Sequence, residues 1–176
     1  MVFARNQVAA SFLSKAWRER DQVSKIYIAK VRSWPPFEEH QQLEGTIDAA
    51  LAPSCHERLK WQVVTPSTTN NAKPSITHWR VLPPNDNNNE NIVLELRPIT
   101  GRTHQLRIHC AHMGSGIIGD SLYGLDQVKQ KPLPDDNHNH PRQEHFLHLH
   151  ASQLSFPHPK TKQVRKFTSN PSWLES

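Results

Sequence analysis

Strand-like runs outnumber helical ones in this chain, and that imbalance limits the folds open to it. "SKIYIAKVRSW", residues 24–34, alternates strictly: Ile26, Ile28 and Lys30 fall on one side, and Lys25, Tyr27, Ala29 and Val31 on the other. Successive side chains of an extended strand point to opposite faces, so the pattern predicts a strand. "GTIDAAL" (45–51), "RLKWQVV" (58–64), "SITHWRVL" (75–82) and "NIVLELRP" (91–98) read as four more. "HLHASQLSFPHPKTKQVRKFTS" (148–169) reads as a closing hairpin turning at its Pro-Lys-Thr-Lys segment, and "MVFA" as the tail of a buried strand. Helical spacing is confined to two places. In "NQVAASFLSKAWRERDQ" (6–22), Val8, Phe12, Leu13, Ala16 and Trp17 form one apolar face behind an Asn6 N-cap. In "TGRTHQLRIHCAHMG" (100–114), Thr103 is the expected cap and Leu106, Cys110 and Met113 the core face. The class is therefore α+β, with a mixed, largely antiparallel central sheet and a few flanking helices.

Between these elements lie a Pro-rich connector, "WPPFEEHQQLEG", and two polar loops near residues 83–91 and 126–145. No run approaches the ~18 apolar residues of a membrane helix, and no internal repeat occurs. The 176 residues suffice for one domain. A net charge of +5 favours a polyanionic partner such as nucleic acid. The two cysteines, Cys55 and Cys110, stand outside any CxxC motif and fit a reduced compartment, the cytoplasm or an organelle.

Three chemical patterns compete. "GSGIIG" (114–119) matches GxGxxG, but the dinucleotide motif needs a strand before it and a long helix after it; here it reads as a turn. His138, His140, His145, His148 and His150 cluster in sequence, mostly within a polar loop, and no third ligand is fixed beside His148 and His150. No GxSxG occurs to seat a nucleophilic serine. "LRPITGRTHQLRIHCAHMG" (96–114) is the dense stretch: a Gly turn feeds a short helix carrying Arg107, with Arg102 in the turn. A half-buried guanidinium needs an anionic partner, either a phosphate or a carboxylate held in a fork.

With "GSGIIGDSLYG" appended, that stretch closely resembles the signature of the RluA family of RNA pseudouridine synthases. The signature runs, loosely, Thr-Gly-Arg-(Thr/Ser)-His-Gln-(Ile/Leu)-Arg-Val-His, then Gly-Asp-x-x-Tyr. "KIYIAKV" is similar to the family's Lys-x-Tyr-x-Ala-x-Val strand, and "LHLHASQLSFPHPKTKQVRKFTSNPSW" to its ending. The resemblance implies the pseudouridine synthase fold and isomerisation of uridine to pseudouridine in structured RNA (rRNA or tRNA) by a monomer, away from membranes and without metal or cofactor. It implies that Arg107 pairs with a nucleophilic aspartate and that Tyr27 stacks on the flipped base. Lys25, Arg102, His104 and Gln105 are the expected RNA contacts. The family's aspartate belongs to a His-Arg-Leu-Asp-x-x-Thr-Ser-Gly motif placed just before the strand matched by "MVFARN". No such motif occurs in residues 1–176. The expectation is therefore a partial catalytic domain over 1–176, N-terminally truncated, inactive alone, with its nucleophile upstream of Met1. The alternatives are an RNA-binding pseudoenzyme and, behind it, a histidine-based metal protein.

Overall fold

The computed structural model describes residues 2–19, 22–32, 43–55, 57–66, 71–83, 92–124 and 146–174. Helix α1 (Gln7–Glu19) opens the chain. It starts where expected: Asn6 Oδ1 accepts a 2.9 Å hydrogen bond from Ala9 N, satisfying one of the donors a helix start leaves unpaired. Among the described residues eight strands follow in two sheets: β1 (Ser24–Val31), β2 (Glu44–Asp48), β3 (Leu51–Pro53), β4 (Trp61–Val63), β5 (Ile76–Val81), β6 (Ile92–Pro98), β7 (Leu149–Pro157) and β8 (Val164–Thr168), with α2 (Gln105–His112) between β6 and β7. The main sheet has the order β2-β5-β6-β1-β7-β8, and β3 and β4 form a separate hairpin. Every pair of strands described is antiparallel, so the expected mixed sheet is antiparallel throughout the described residues.

The core forms where one face of β1, β5 and β6 meets α2. Leu106, Cys110 and Met113 of α2 are buried, as their helical spacing predicts, in a cluster with Ala29, Val31, Trp79, Leu94 and Leu96. Leu94 and Leu96 are fully buried, and each contributes roughly 1.5–3 kcal/mol of apolar transfer free energy. α1 packs elsewhere, touching β7 through Trp17, whose ring lies 5.4 Å from that of Phe156.

Three local expectations need correction. Val2–Ala4 form no strand. "GTIDAAL" breaks into β2 and the start of β3, because the chain turns at Ala49: its N–H donates to Ser75 O (3.1 Å) and its carbonyl faces His109 Nε2 (3.1 Å). Thr103 does not cap α2. The residue before the helix is His104, in the left-handed region (φ 54°, ψ 18°) with no side-chain cap bond. The turn is held from inside the helix instead, since Gln105 Oε1 accepts from Arg102 N at 3.0 Å. The polar segments 84–91 and 125–145, with His138, His140 and His145, lie outside the described residues.

A buried relay ties α2 to the sheet. Thr100 Oγ1 donates to Gln105 Oε1 (2.7 Å). Gln105 Nε2 donates to Ile76 O (2.9 Å) and Thr77 Oγ1 (3.0 Å). Thr77 Oγ1 meets His109 Nδ1 at 2.9 Å, and His109 Nε2 meets Ala49 O. A carbonyl only accepts, so Nε2 carries the imidazole proton and Nδ1 accepts from the Thr77 hydroxyl. Burial pushes the His109 pKa below the ordinary histidine value despite the bond to Ala49, and so favours this neutral form. Thr77→Val keeps the shape but leaves Gln105 Nε2 and His109 Nδ1 short of a partner. It should lower unfolding free energy by about 2 kcal/mol in urea titration; a change under about 0.5 kcal/mol would show that the relay is dispensable. The unfolded chain protonates His109 more readily than the folded one. Its contribution to stability is therefore intact above about pH 6.5 and declines as pH falls below that value.

Candidate active site

Lys25, Tyr27, Arg102, His104, Gln105 and Arg107, the six residues singled out from sequence, all line one cavity of about 260 Å³ beside the N-terminus of α2. Two come from β1. The register slips between Ile26 and Tyr27, so that Ile26 pairs with Gln153 but Tyr27 with Ala151, leaving Ser152 as an extra residue. Such a bulge sharpens local twist and re-aims side chains. Tyr27 is half-buried, and desolvation raises its phenol pKa, so the hydroxyl stays protonated and the ring presents a neutral aromatic face. Lys25 reaches across to the Gly101 turn: a Cβ at Gly101 would sit 3.4 Å from its Nζ.

Arg107 is held in a fork. Its Nε donates to Asp120 Oδ2 (2.8 Å) and its Nη2 to Asp120 Oδ1 (2.6 Å). Asp120 Oδ1 also accepts from Leu122 N and Tyr123 N, both at 2.9 Å. Burial pushes the Asp120 carboxyl up, but the guanidinium and the two backbone donors outweigh it and hold its pKa below the ordinary value. The turn that delivers Asp120 depends on Gly119, at φ +76°, where a Cβ would lie 1.9 Å from the Phe146 carbonyl oxygen. Gly114 (φ 80°) similarly ends α2, so the GxGxxG match is a helix stop followed by a turn.

Tyr123 closes the other side of the guanidinium. Its ring centroid is 5.1 Å from the Arg107 guanidinium carbon. Its hydroxyl accepts from Trp61 N (3.0 Å) and meets His104 Nδ1 at 3.0 Å. His104 is driven toward its neutral form by partial burial and by Arg107, with Asp120 pulling the other way.

One sequence expectation changes. Gln105 is buried, and both atoms of its carboxamide are committed to Thr100, Arg102 N, Ile76 O and Thr77. It shapes the turn and has no free polar atom to offer a phosphate. Among the described residues Arg107 pairs with Asp120, a partner in addition to the nucleophilic aspartate that the family resemblance implies. Asp120 and Tyr123 enter the sequence reading only as the Gly-Asp-x-x-Tyr end of the family signature, with no role given to either. The signal was present in "GDSLYG", because an aspartate whose side chain accepts from the N–H groups two and three residues later is a recurrent turn device. Arg102 sits at the rim, its Nε donating to Pro74 O (3.3 Å). Of the histidines weighed as metal ligands, His148 packs against Trp173 and His150 Nε2 contacts Ser169. No group of three His, Cys, Asp or Glu side chains poised for a metal occurs among the described residues.

A fold of this order, with a polar arginine-and-tyrosine cavity at the start of the helix after β6, has close counterparts. The family model described as RNA pseudouridylate synthase matches residues 1–112. An uncharacterized RNA pseudouridine synthase of Chloroflexus aurantiacus is 33% identical over 169 residues, covering 96% of this chain and 45% of that protein. The dual-specificity RNA pseudouridine synthase RluA of Pasteurella multocida is 34% identical, with 98% and 68% covered. Among solved structures, human RNA Pseudouridylate Synthase Domain Containing 1 superposes with a TM-score of 0.69 at 27% identity, covering 96% of this chain and 62% of that one. The chain belongs to the RluA family of RNA pseudouridine synthases. It spans only about half to two thirds of the length of these relatives.

The His104 environment can be checked directly. Its imidazole should titrate below the ordinary value of about 6.5 in an NMR pH series, because protonation there meets Arg107 and partial desolvation. A midpoint above that value would mean that Asp120 dominates its surroundings.

Proposed function

We propose that this chain forms the base-binding and arginine wall of a pseudouridine synthase active site, which converts uridine to pseudouridine in structured RNA such as rRNA or tRNA. The observation that carries the reading is the convergence of Tyr27 and Arg107 on one small cavity, with a guanidinium edge left over. Asp120 takes Nε and Nη2 of Arg107, and no described residue bonds Nη1. In this reading, Nη1 faces the nucleophilic aspartate, which enters from a segment outside residues 1–176, and residues 1–176 are part of a larger catalytic domain.

The chemistry fits these groups. Isomerisation breaks the bond from the ribose to a ring nitrogen and makes one to a ring carbon, so no atoms or electrons are exchanged with a cofactor. The target base must leave its stack, at a cost of a few kcal/mol, which an aromatic face such as Tyr27 offsets. A carboxylate in a pocket that excludes water tends to take up a proton, and a neighbouring guanidinium keeps it ionised and aimed. Lys25 and Arg102 at the rim suit the phosphates flanking the flipped nucleotide. A second basic group, Lys160, Lys162, Arg165 and Lys166, lies on the exposed turn and strand of the β7–β8 hairpin and extends the electrostatic footprint.

In a protein that includes the aspartate-bearing segment, Arg107→Ala should slow single turnover at saturating RNA by at least about 100-fold. RNA affinity should stay within about threefold, because phosphate contacts are spread over many side chains. Arg107→Lys should also be slow, since a point charge cannot serve Asp120 and a nucleophile at once. Near-normal turnover with weakened affinity would make Arg107 a phosphate clamp and sink the assignment. Residues 1–176 alone should bind RNA weakly, with log K falling by about 0.7–0.9 per log unit of salt for each phosphate neutralised, and should form no pseudouridine. Pseudouridine formation by residues 1–176 would overturn the placement of the nucleophile, and binding without turnover by the longer protein would favour a pseudoenzyme.

A further inference from the structure

The Arg107 guanidinium is held by one short turn, through a fork and a ring contact. Asp120 holds Nε and Nη2, and the Tyr123 ring packs against the guanidinium. The turn is anchored in its own right: Asp120 Oδ1 ties down Leu122 N and Tyr123 N, and the Tyr123 hydroxyl is fixed by Trp61 N of β4 and by His104. We propose that Asp120 and Tyr123 are positioning residues that fix the Arg107 side chain so that its remaining Nη1–Nη2 edge is presented to the nucleophilic carboxylate. This rests on the function proposed above and extends it to residues that touch neither the base nor the nucleophile.

The physical argument is one of competing partners. A free arginine side chain samples many rotamers, and a mobile fork would pair with an incoming carboxylate in several geometries. The Asp120 carboxylate is 1% exposed and accepts from four donors, two of them on Arg107, so its own orientation is settled before any RNA arrives. It also neutralises Arg107, which keeps the arginine from serving as a general phosphate trap. Tyr123 packs against the guanidinium, its ring centroid 5.1 Å from the guanidinium carbon, and so limits the rotamers open to the Arg107 side chain. The Tyr123 hydroxyl joins this clamp to β4 and His104, so the cavity wall and the arginine are set by the same residue.

The full protein carries the test, with Asp120→Asn, Tyr123→Leu and Tyr123→Phe. In each, single-turnover rate at saturating RNA, its pH profile and RNA affinity are measured. Asp120→Asn and Tyr123→Leu should lose about 30-fold or more in rate, with affinity within about threefold. Tyr123→Phe, which keeps the ring on the guanidinium, should be at least about tenfold faster than Tyr123→Leu. The acid limb separates the possible causes. A misaimed Arg107 stabilises the nucleophile's charge less well, so the limb should move up by about half a pH unit or more. A merely structural loss lowers the amplitude without moving the limb. A purely electrostatic role for Asp120 moves it down, because removing a negative charge favours the ionised nucleophile. Either of those outcomes overturns the proposal. If Asp120→Asn does not fold, the Tyr123 pair decides. A second readout stands apart from turnover: the Arg107 Nε–H resonance should exchange slowly with water in the unaltered protein and rapidly in Tyr123→Leu. Wild-type protein that makes no pseudouridine would refute the proposed function, while slow or fast exchange at Arg107 would still decide for or against the clamp.

Discussion

The site depends on the buried run of hydrogen bonds from Thr100 through Gln105 and Thr77 to His109 and Ala49. Each member is a polar group removed from water, and an unmatched one costs about 1–3 kcal/mol. The run therefore works as a set, with each hydrogen given one acceptor. Its consequence is geometric. It fixes the start of α2 against β5 and against the turn after β2, and the start of α2 is where Arg107 and His104 project. His104 takes a left-handed backbone conformation, which a non-glycine residue holds only when its surroundings over-determine it. Here Gln105 on one side and Tyr123 on the other supply that constraint.

Charge is arranged on this frame in two layers. The inner layer is closed: Arg107 and Asp120 cancel one another in a fork shielded from solvent, with side-chain exposures of 15% and 1%. The outer layer is open and basic, with Lys25 and Arg102 at the cavity mouth and a cationic hairpin on β8. The division suits the RNA-modifying role proposed above. Phosphate attraction is long-ranged and tolerant of position, so it can sit on exposed side chains. Orientation of a reacting group needs a fixed, dry geometry, which only the inner layer provides.

Much of the scaffold was legible in the chain because its signals are local. Asn6 and the apolar spacing from Val8 to Trp17 mark α1, and period-two alternation marks β1. "GTIDAAL" misled because its apolar pattern runs unbroken through Ala49, while the turn there is imposed by Ser75 and His109, residues distant in sequence. Gln105 misled for a related reason. A glutamine between two basic residues looks like a polar contact, and nothing local reveals that four partners from β5 and the preceding turn consume it. Asp120 and Tyr123 stand in the signature as Gly-Asp-x-x-Tyr, but their contacts with Arg107 form only because the turn folds back over α2.

The sequence by itself determined the sheet-rich class, the α2 core face of Leu106, Cys110 and Met113, and the family, because periodicity, turn chemistry and motif spacing are written along the chain. The tertiary structure alone decided which of the candidate site residues face the cavity, which are spent inside it, and what holds the arginine. Those outcomes depend on pairings between residues 13 to 62 positions apart, such as Arg107 with Asp120 and Trp61 with Tyr123. Such pairings exist only once hydrophobic burial has brought the sheet and helix together.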